Sequence, residues 1–485
     1  MTFHPPEAWN TTFKSDVLRL VSGTGLAQII ALLAAPILTR LYAPEAFGVG
    51  ALFASLTGIL GVVACMRYEL SIVLPDNDRE AANLLAVSLV FTVLMTLLTL
   101  LLVWSSGSDI IRWIRMPELA PYLWLVPVTV LVSGLFTALN YWNTRTKHFT
   151  RLSIARVTSA LANTSGSLGA GLAGHATGGA LIAANLGGQA VATSVLGGQI
   201  WRDNGRSILA CITWQEMWAG LKRHRKFPLY GSWAGLLNTI SWQLPVLMLG
   251  GFFSPAVAGF YALGFRILQM PMSLIGGAIS QVFHQRAAEA HNAGQLGPLV
   301  EALFKRLFLV ALLPTLMLTI IGRDLYVVVF GERWAEAGVY TQILSIWSLV
   351  WFVSSPMSNL FGVLGRQEQG LKIQILIFSS RFVALAVGAL LDSVIIALVL
   401  FSLSGVAVYG YLMALVLHHA DVRVKSLVPF IKDTLLQTAP HFAIALAFAL
   451  ILKDSILVLW AAAMLTALFF WSYRFQFIDK NTSSR

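Results

Sequence analysis

The chain has few charged residues and almost no cysteine. Only 11% of its 485 residues are Asp, Glu, Lys or Arg, and only Cys65 and Cys211 are cysteines. So little polar material cannot coat a soluble globule of this size. Two scattered thiols support neither a disulfide framework nor a metal cluster. We therefore expect no soluble globular protein, no metal site and no cofactor.

Acidic residues are scarcer than basic ones, with 22 Asp and Glu against 33 Lys and Arg. The net charge of +11 is compatible in principle with nucleic acid. The basic residues, however, lie in short connections between apolar runs, which is the pattern of membrane topology. We expect no nucleic-acid partner.

A cleavable signal peptide is not predicted either. The first sixteen residues are polar and aromatic, and no basic start leads into a short apolar core with a small-residue cleavage site. The first apolar span is expected to act as its own insertion signal.

Long apolar runs are what the chain has in abundance. Its mean hydropathy is +0.74 and 57% of its residues are hydrophobic, and a helix needs about 20 such residues to cross a bilayer. The sequence predicts an all-α polytopic membrane protein with about fourteen transmembrane helices. The fifth and sixth spans are the least hydrophobic and two turns are tight, so twelve or thirteen spans is an alternative. The predicted spans are 17–39, 46–66, 81–104, 119–141, 153–173, 177–200, 228–250, 255–281, 304–322, 338–363, 371–391, 393–418, 435–452 and 455–473.

The distribution of Lys and Arg orients these spans. Most of the 33 basic residues fall in the connections on one side, and that side is retained in the cytoplasm. Both termini are therefore expected in the cytoplasm. The predicted divisions are a cytoplasmic segment 1–16, an N-lobe 17–200, a basic linker 201–227, a C-lobe 228–418, a cytoplasmic loop 419–434, two further helices 435–473 and a cytoplasmic tail 474–485.

An internal repeat relates the two predicted lobes. The stretch YAPEAFGVGAL at 42–52 aligns with FSPAVAGFYAL at 253–263 with a constant offset, so that Pro44 meets Pro255 and Gly48 meets Gly259. Because each lobe has an even number of spans, the lobes would be related by an axis along the membrane normal. Substrate would then bind between them.

Two arginines, Arg266 and Arg381, fall inside predicted spans. Arg266 lies 11 residues after Pro255, or about 16 Å along a helix that rises about 1.5 Å per residue. A cation near the bilayer centre costs at least about 2.5 to 3.5 kcal/mol, so such a residue is expected to serve a ligand or a partner. Both are candidate substrate-binding residues of a cationic pathway. The alternative is that each binds backbone carbonyls or a nearby acid and locks helices together.

Other polar residues complete the candidate site. Amides within spans are candidates for the cavity, although amides also join helices. Arg67, Glu69, Arg145 and Arg366 are candidates for a cytoplasmic entrance, and the spacing of Arg67 and Glu69 is wrong for pairing on one helix face. No catalytic residue is predicted. The amide candidates are Gln28, Asn140, Asn238, Gln243 and Gln269.

Four stretches carry a resemblance to a known family: 19–53, the run RYELSIVLP at 67–75, LGFRILQMPMSLIGGAISQVFHQRA at 263–287 and LYVVVFGERWAEAG at 325–338. Together they resemble polysaccharide biosynthesis proteins of the Wzx type, in the superfamily of multidrug extruders and lipid II flippases. The resemblance covers roughly 15–475.

The resemblance implies a flippase that moves undecaprenyl-diphosphate-linked oligosaccharide across a bacterial inner membrane for surface polysaccharide synthesis. Two six-helix lobes would alternate access, with the last two helices outside the repeat. Membrane lipid and the polymerase and chain-length proteins of the glycan pathway are the further partners implied. One alternative is a drug or cation antiporter, which requires an acidic residue deep in the spans, and none is found there. A membrane polymerase or ligase is another alternative, and it requires a large external loop. The third is a scaffold without transport activity. The protein is not expected to be an enzyme.

Overall fold

The computed structural model describes residues 7–451, except for the side chains of 7–22, 274, 275, 277, 278, 281, 450 and 451. Over this range the chain is almost wholly helical and contains no strand. It divides into two compact units, unit 1 (Met1–Gly259) and unit 2 (Phe260–Arg485). The predicted all-α class is confirmed.

The described residues of unit 1 contain eight complete α-helices and the start of a ninth. They are α1 (Glu7–Leu41), α2 (Pro44–Val63), α3 (Asp78–Ile114), α4 (Leu125–Arg145), α5 (Phe149–Leu172), α6 (Gly178–Cys211), α7 (Trp214–Arg223), α8 (Ser232–Phe252) and the first residues of α9 (Pro255–Pro271).

Unit 2 contains the rest of α9 and seven more helices within the described range. They are α10 (Gly277–Asn292), α11 (Leu296–Phe330), α12 (Ala335–Ser354), α13 (Leu360–Val363), α14 (Gln367–Leu390), α15 (Val394–His419) and α16 (Val424–Ile451).

The described part of every predicted span up to 435–452 is helical, although 255–281 and 338–363 are each divided between two helices. The span 455–473 and the tail 474–485 lie outside the described residues. Nine helical stretches among the described residues are long and apolar enough to cross a membrane. The chain is thus a multi-pass membrane protein. The helices extend beyond several predicted ends, because polar residues at a bilayer surface can continue a helix that the apolar run begins.

The predicted basic linker is helical. α6 continues to Cys211, past residue 200, and α7 follows it. The Thr213 side chain caps α7 by accepting from the backbone of Glu216. Arg223 of α7 forms an ion pair with Glu80 of α3 at 2.7 Å. The predicted basic linker therefore contains α7, which is fastened to α3.

The repeat offset recurs at the starts of two helices. α2 begins at Pro44 and α9 at Pro255, which are both at the first helical turn, where proline needs no hydrogen-bond donor. A Cβ at Gly48 would lie 1.7 Å from the Pro255 carbonyl oxygen, and a Cβ at Gly259 would lie 2.2 Å from the Pro44 carbonyl oxygen. The two helix starts therefore pack reciprocally, and both glycines are needed for the backbones to approach.

The predicted span 255–281 is interrupted by a π-helical turn. Pro271 ends α9, the turn spans Met272–Gly276, and α10 follows. Proline lacks the backbone N–H that an α-helix would use, so the hydrogen-bond register changes at this point. Arg266 lies in α9, before the turn.

Candidate functional site

A polar cavity of about 390 Å³ opens within unit 1. Its walls come from α2, α4 and α6, and its end is formed by the segment that follows α2. The lining residues are Ala54, Thr57, Gly58, Gly61, Val62, Arg67, Glu69, Thr129, Ser133, Thr137, Asn185 and Gln189.

An unusual backbone conformation brings the charged residues of this cavity together. α2 ends at Val63, Met66 and Arg67 have φ values of 50° and 62°, and a 3₁₀ turn spans Tyr68–Ser71. Left-handed backbone costs a residue with a side chain about 1 to 2 kcal/mol. Burial of Tyr68 offsets this cost: its ring stacks on Phe91 with centroids 5.2 Å apart, and its hydroxyl donates to the Leu221 carbonyl at 3.1 Å.

The left-handed turn allows Arg67 and Glu69 to pair. Arg67 Nη1 lies 3.6 Å from Glu69 Oε1, and the Glu69 side chain is 2% exposed. The expectation that this spacing prevents pairing was wrong, because it assumed a helix that has already ended. Glu69 Oε2 and Arg67 Nε are buried without a hydrogen-bond partner among the described residues. The pair therefore retains one free acceptor and one free donor.

The Glu69 carboxyl is easier to protonate than an ordinary glutamate. Burial raises its pKa, while a backbone hydrogen bond and the Arg67 guanidinium act in the opposite direction without cancelling the effect of burial. A buried acid of this kind is a candidate for binding a proton or a cation.

Helix α8 packs against the same end of the cavity. A Cβ at Gly235 would lie 2.5 Å from Arg67 Nη2, so α8 passes close to the guanidinium at this glycine. Farther along, Gln243 Oε1 accepts a hydrogen bond from Ser55 of α2 at 3.0 Å. Gln243, a predicted cavity residue, thus joins α2 to α8 beside the cavity.

The walls are rich in uncharged hydrogen-bonding groups. Four hydroxyls, on Thr57, Thr129, Ser133 and Thr137, donate to carbonyls of their own helices at 2.8 to 2.9 Å. Their remaining lone pairs can accept from a ligand. The amides of Asn185 and Gln189 have no hydrogen-bond partner among the described residues. Such a set matches a ligand with many hydroxyl groups.

The sequence contained a signal for these walls that the candidate set did not use. Thr129, Ser133 and Thr137 recur every four residues on α4, and Asn185 and Gln189 do so on α6. This spacing places each set on one helix face. A polar stripe on an otherwise apolar helix indicates a face turned away from lipid.

Arg266 is exposed on α9, in the middle of an apolar helix. Among the described residues it has no hydrogen-bond or ion-pair partner. Gln269, three residues later and on the same side of the helix, is also exposed. Contact with substrate stays a prediction for both, and their side chains are free to make it.

Arg381 has a different environment. It is 3% exposed, donates to the Tyr409 hydroxyl at 3.1 Å, and lies 5.9 Å and 5.7 Å from the ring centres of Trp347 and Phe401. Aromatic faces attract a guanidinium by cation–π interaction. These contacts join α14 to α12 and α15, which favours the helix-locking alternative, while substrate binding by Arg381 stays an untested prediction.

The other two entrance candidates lie apart from the cavity. Arg145 at the end of α4 forms an ion pair with Asp78 at 3.0 Å and donates to the Pro75 carbonyl. It thereby fastens the segment before α3. Arg366 is exposed at the start of α14, with Nη1 3.5 Å from His419 Nε2.

The remaining amide candidates are scattered. Asn140 Oδ1 is buried without a hydrogen-bond partner among the described residues. Gln28 is half-buried and Asn238 is exposed. Of the predicted site residues, the cavity of unit 1 brings together Arg67 and Glu69, with Gln243 next to it. Within residues 7–451 no group of three His, Cys, Asp or Glu side chains is placed to hold a metal ion.

Solved structures share this fold. The lipid II flippase MurJ in an inward closed conformation matches with a TM-score of 0.74 and 12% identity, covering 95% of this chain and 99% of that one. An inward-facing MATE family multidrug transporter of the MOP superfamily matches with a TM-score of 0.64 and 13% identity over 83% and 94% of the two chains. A MOP superfamily transporter from Pyrococcus furiosus gives 0.55 and 13% identity over 84% and 96%. These likenesses show the two-lobe, multi-helix fold of transporters.

The family assignment rests on sequence. No curated protein matches the chain. The family model described as "Polysaccharide biosynthesis protein" matches residues 37–339, which include α2, the Arg67–Glu69 turn, the cavity walls and Arg266. The chain therefore belongs to the polysaccharide biosynthesis protein family.

Proposed function

We propose that the protein is a flippase that moves undecaprenyl-diphosphate-linked oligosaccharide across a bacterial inner membrane. The product would serve the synthesis of a surface polysaccharide such as O-antigen, capsule or exopolysaccharide. Family membership, the flippase and transporter folds of its structural neighbours and the multi-pass architecture support this proposal. Both termini would lie in the cytoplasm.

The observation that carries the proposal is the chemistry of the cavity in unit 1. A guanidinium stands at one end, and the walls supply four hydroxyls and two free amides. A guanidinium group forms bidentate hydrogen bonds with phosphate oxygens and keeps its charge at all physiological pH values. Amides and hydroxyls bind sugar hydroxyls. A phosphorylated glycan is the substrate class that uses both kinds of group.

Arg266 would contribute a second cationic contact. It is exposed in an apolar helix without a partner among the described residues, so its insertion cost is not offset by an internal ion pair. Binding to the diphosphate or to an acidic sugar would offset it. The polyprenyl chain is as apolar as lipid and would stay in the bilayer during alternating access.

A drug or cation antiporter is a second candidate function, and one observation favours it. Glu69 is a buried carboxyl that lines the cavity, so the deep acid that was missing from the predicted spans is supplied by the turn after α2. An antiporter would use Glu69 to bind an organic cation or a proton. The adjacent Arg67 weakens this reading, because a guanidinium 3.6 Å away repels an organic cation.

Purified protein in vesicles distinguishes the two functions. We expect transfer of a lipid-linked oligosaccharide between leaflets, measured by enzymatic or chemical access to the glycan on the far side. We expect no uptake of a fluorescent organic cation in the same vesicles. Cation uptake without glycan transfer would replace the flippase proposal by the antiporter.

The glycan pathway supplies the further partners that this function requires. A polymerase and a chain-length protein would receive the translocated unit. The protein itself would make and break no covalent bond, as expected of a transporter and not of an enzyme.

A further inference from the structure

A second cavity, of about 470 Å³, lies in unit 2 between α10 and α11. We call it the α10–α11 cleft. It shares no lining residue with the polar cavity of unit 1. Its lining residues are Ile279, Val282, Phe283, Arg286, Leu299, Ala302, Leu303 and Arg306.

The two helices contribute the same pattern to the cleft. On α10 the lining residues occupy positions i, i+3, i+4 and i+7 from Ile279 to Arg286, and on α11 they do so from Leu299 to Arg306. This spacing is one face of a helix. Each helix therefore presents three apolar side chains followed by an arginine, and the cleft combines an apolar wall with two cations.

Both arginines are available to a ligand. Arg286 and Arg306 are exposed, and neither has a hydrogen-bond or ion-pair partner among the described residues. The neighbouring Lys305 differs, because it forms an ion pair with Glu301 at 2.6 Å and lies over the ring of Phe430. Lys305 is thus paired within the chain, whereas the two cleft arginines have no such partner among the described residues.

The apolar part of the cleft is also open. Val282 is 56% exposed although it stands beside Phe283, which is 3% exposed. Exposed apolar patches mark sites that contact a membrane, a ligand or another protein. A ligand of this cleft therefore has an anionic group for the arginines and a hydrocarbon chain for the wall.

The lining chemistry distinguishes between anionic ligands. A glycan needs hydroxyl, amide or carboxylate partners, and the cleft lining has none, whereas the cavity of unit 1 has six hydroxyl or amide side chains. Free phosphate would leave the apolar wall uncovered. Basic pockets between membrane helices bind the head groups of anionic lipids.

We propose that the α10–α11 cleft binds an anionic glycerophospholipid of the surrounding membrane. The lipid phosphate accepts hydrogen bonds from Arg286 and Arg306, and an acyl chain covers Ile279, Val282 and Leu303. This site is distinct from the substrate-binding role of the unit 1 cavity and goes beyond the proposed function.

Native mass spectrometry of the full chain tests the site. The protein is exchanged into detergent with phosphatidylglycerol or phosphatidylcholine, and bound lipid is counted. We expect retention of phosphatidylglycerol by the wild type. The double variant Arg286→Gln/Arg306→Gln is expected to retain it about thirtyfold less, since each arginine near a lipid surface contributes about 1 kcal/mol and about 1.4 kcal/mol is a factor of ten.

The matched control removes two exposed arginines elsewhere, in the variant Arg225→Gln/Arg423→Gln. It has the same net charge as the cleft variant and is expected to retain lipid like the wild type. If both double variants lost phosphatidylglycerol equally, lipid retention would depend on the overall charge of the protein, and the proposed site would be overturned. Equal retention of phosphatidylcholine, or displacement by inorganic phosphate at the lipid concentration, would overturn the choice of ligand. Preferential displacement by a polyprenyl diphosphate would also overturn it, by making the cleft a substrate site.

A measurement on the wild type keeps the proposal testable if the double variant does not fold. Phosphatidylglycerol with a photoreactive group on its acyl chain is incorporated and cross-linked. We expect labelled peptides within 279–306. Labelling spread evenly over the apolar helices, without enrichment in 279–306, would overturn the proposal.

Discussion

Arg67 and Glu69 form an ion pair across only two residues, with 3.6 Å between Arg67 Nη1 and Glu69 Oε1. The pair depends on the left-handed backbone of Met66 and Arg67, and Glu69 keeps one buried oxygen without a hydrogen-bond partner among the described residues. A carboxyl with this environment links the stability of the protein to pH.

The first prediction concerns Glu69→Gln. Because burial raises the pKa of Glu69 in the folded state, the folded protein holds this proton more tightly than the unfolded chain does. The resulting stability is fully present below the unfolded pKa of about 4.3 and is lost as the pH rises through the folded pKa. The stability of Glu69→Gln relative to wild type should therefore increase as the pH rises from the unfolded pKa of Glu69 through its folded pKa.

Thermal unfolding in detergent at a series of pH values measures this effect. Glu368→Gln, which removes an exposed carboxyl at the start of α14, is the control for the loss of one carboxylate. A difference between Glu69→Gln and wild type that does not change with pH would show that burial does not dominate the protonation of Glu69.

The second prediction concerns the reciprocal packing of Gly48. A Cβ at this position would lie 1.7 Å from the Pro255 carbonyl oxygen, so Gly48→Ala must push two helix backbones apart. We expect a loss of about 1 to 3 kcal/mol or more, typical of overpacking. At Gly50 the nearest atom to a new Cβ is 3.5 Å away, on the Leu181 side chain. Gly50→Ala should retain wild-type stability in the same unfolding assay, and equal stability of the two variants would refute the close approach.

The third prediction concerns Arg381 and Tyr409. If Arg381 locks α14 to α15, Tyr409→Phe should cost about 1 to 3 kcal/mol by leaving a buried guanidinium without this acceptor. Arg381→Met should cost less when Tyr409 is already Phe than in the wild type, giving a coupling of about 1 kcal/mol or more in a double-mutant cycle. A variant that unfolds like the wild type but flips substrate more slowly would instead assign Arg381 to the substrate.

The helices were predictable because each apolar run is long and ends at charged residues or proline, as at Pro44 and Pro255. The Arg67–Glu69 pair was not, since a helical spacing rule gives no warning of two left-handed residues without glycine. The aromatic surroundings of Arg381 come from α12 and α15. The spacing of residues within one helix does not show which aromatic rings of other helices will surround a cation.

The cavity walls were partly predictable from the sequence. Their polar residues recur every four positions on α4 and α6 and are visible in the sequence, but α4 and α6 are far apart along the chain. Only the packing of these helices with α2 turns the separate stripes toward one space.

The central claim is that the protein moves a lipid-linked, diphosphate-bearing glycan, to which Arg266 on α9 supplies a cationic contact. Its most direct test is the rate of lipid-linked oligosaccharide flipping in vesicles by wild type, Arg266→Ala, Arg266→Lys and the exposed-arginine control Arg423→Ala, with insertion matched for all four. We expect Arg266→Ala to flip at least about tenfold more slowly, Arg266→Lys to be intermediate because lysine keeps the charge without the planar fork, and Arg423→Ala to match the wild type. Wild-type flipping by well-inserted Arg266→Ala protein would contradict the claim.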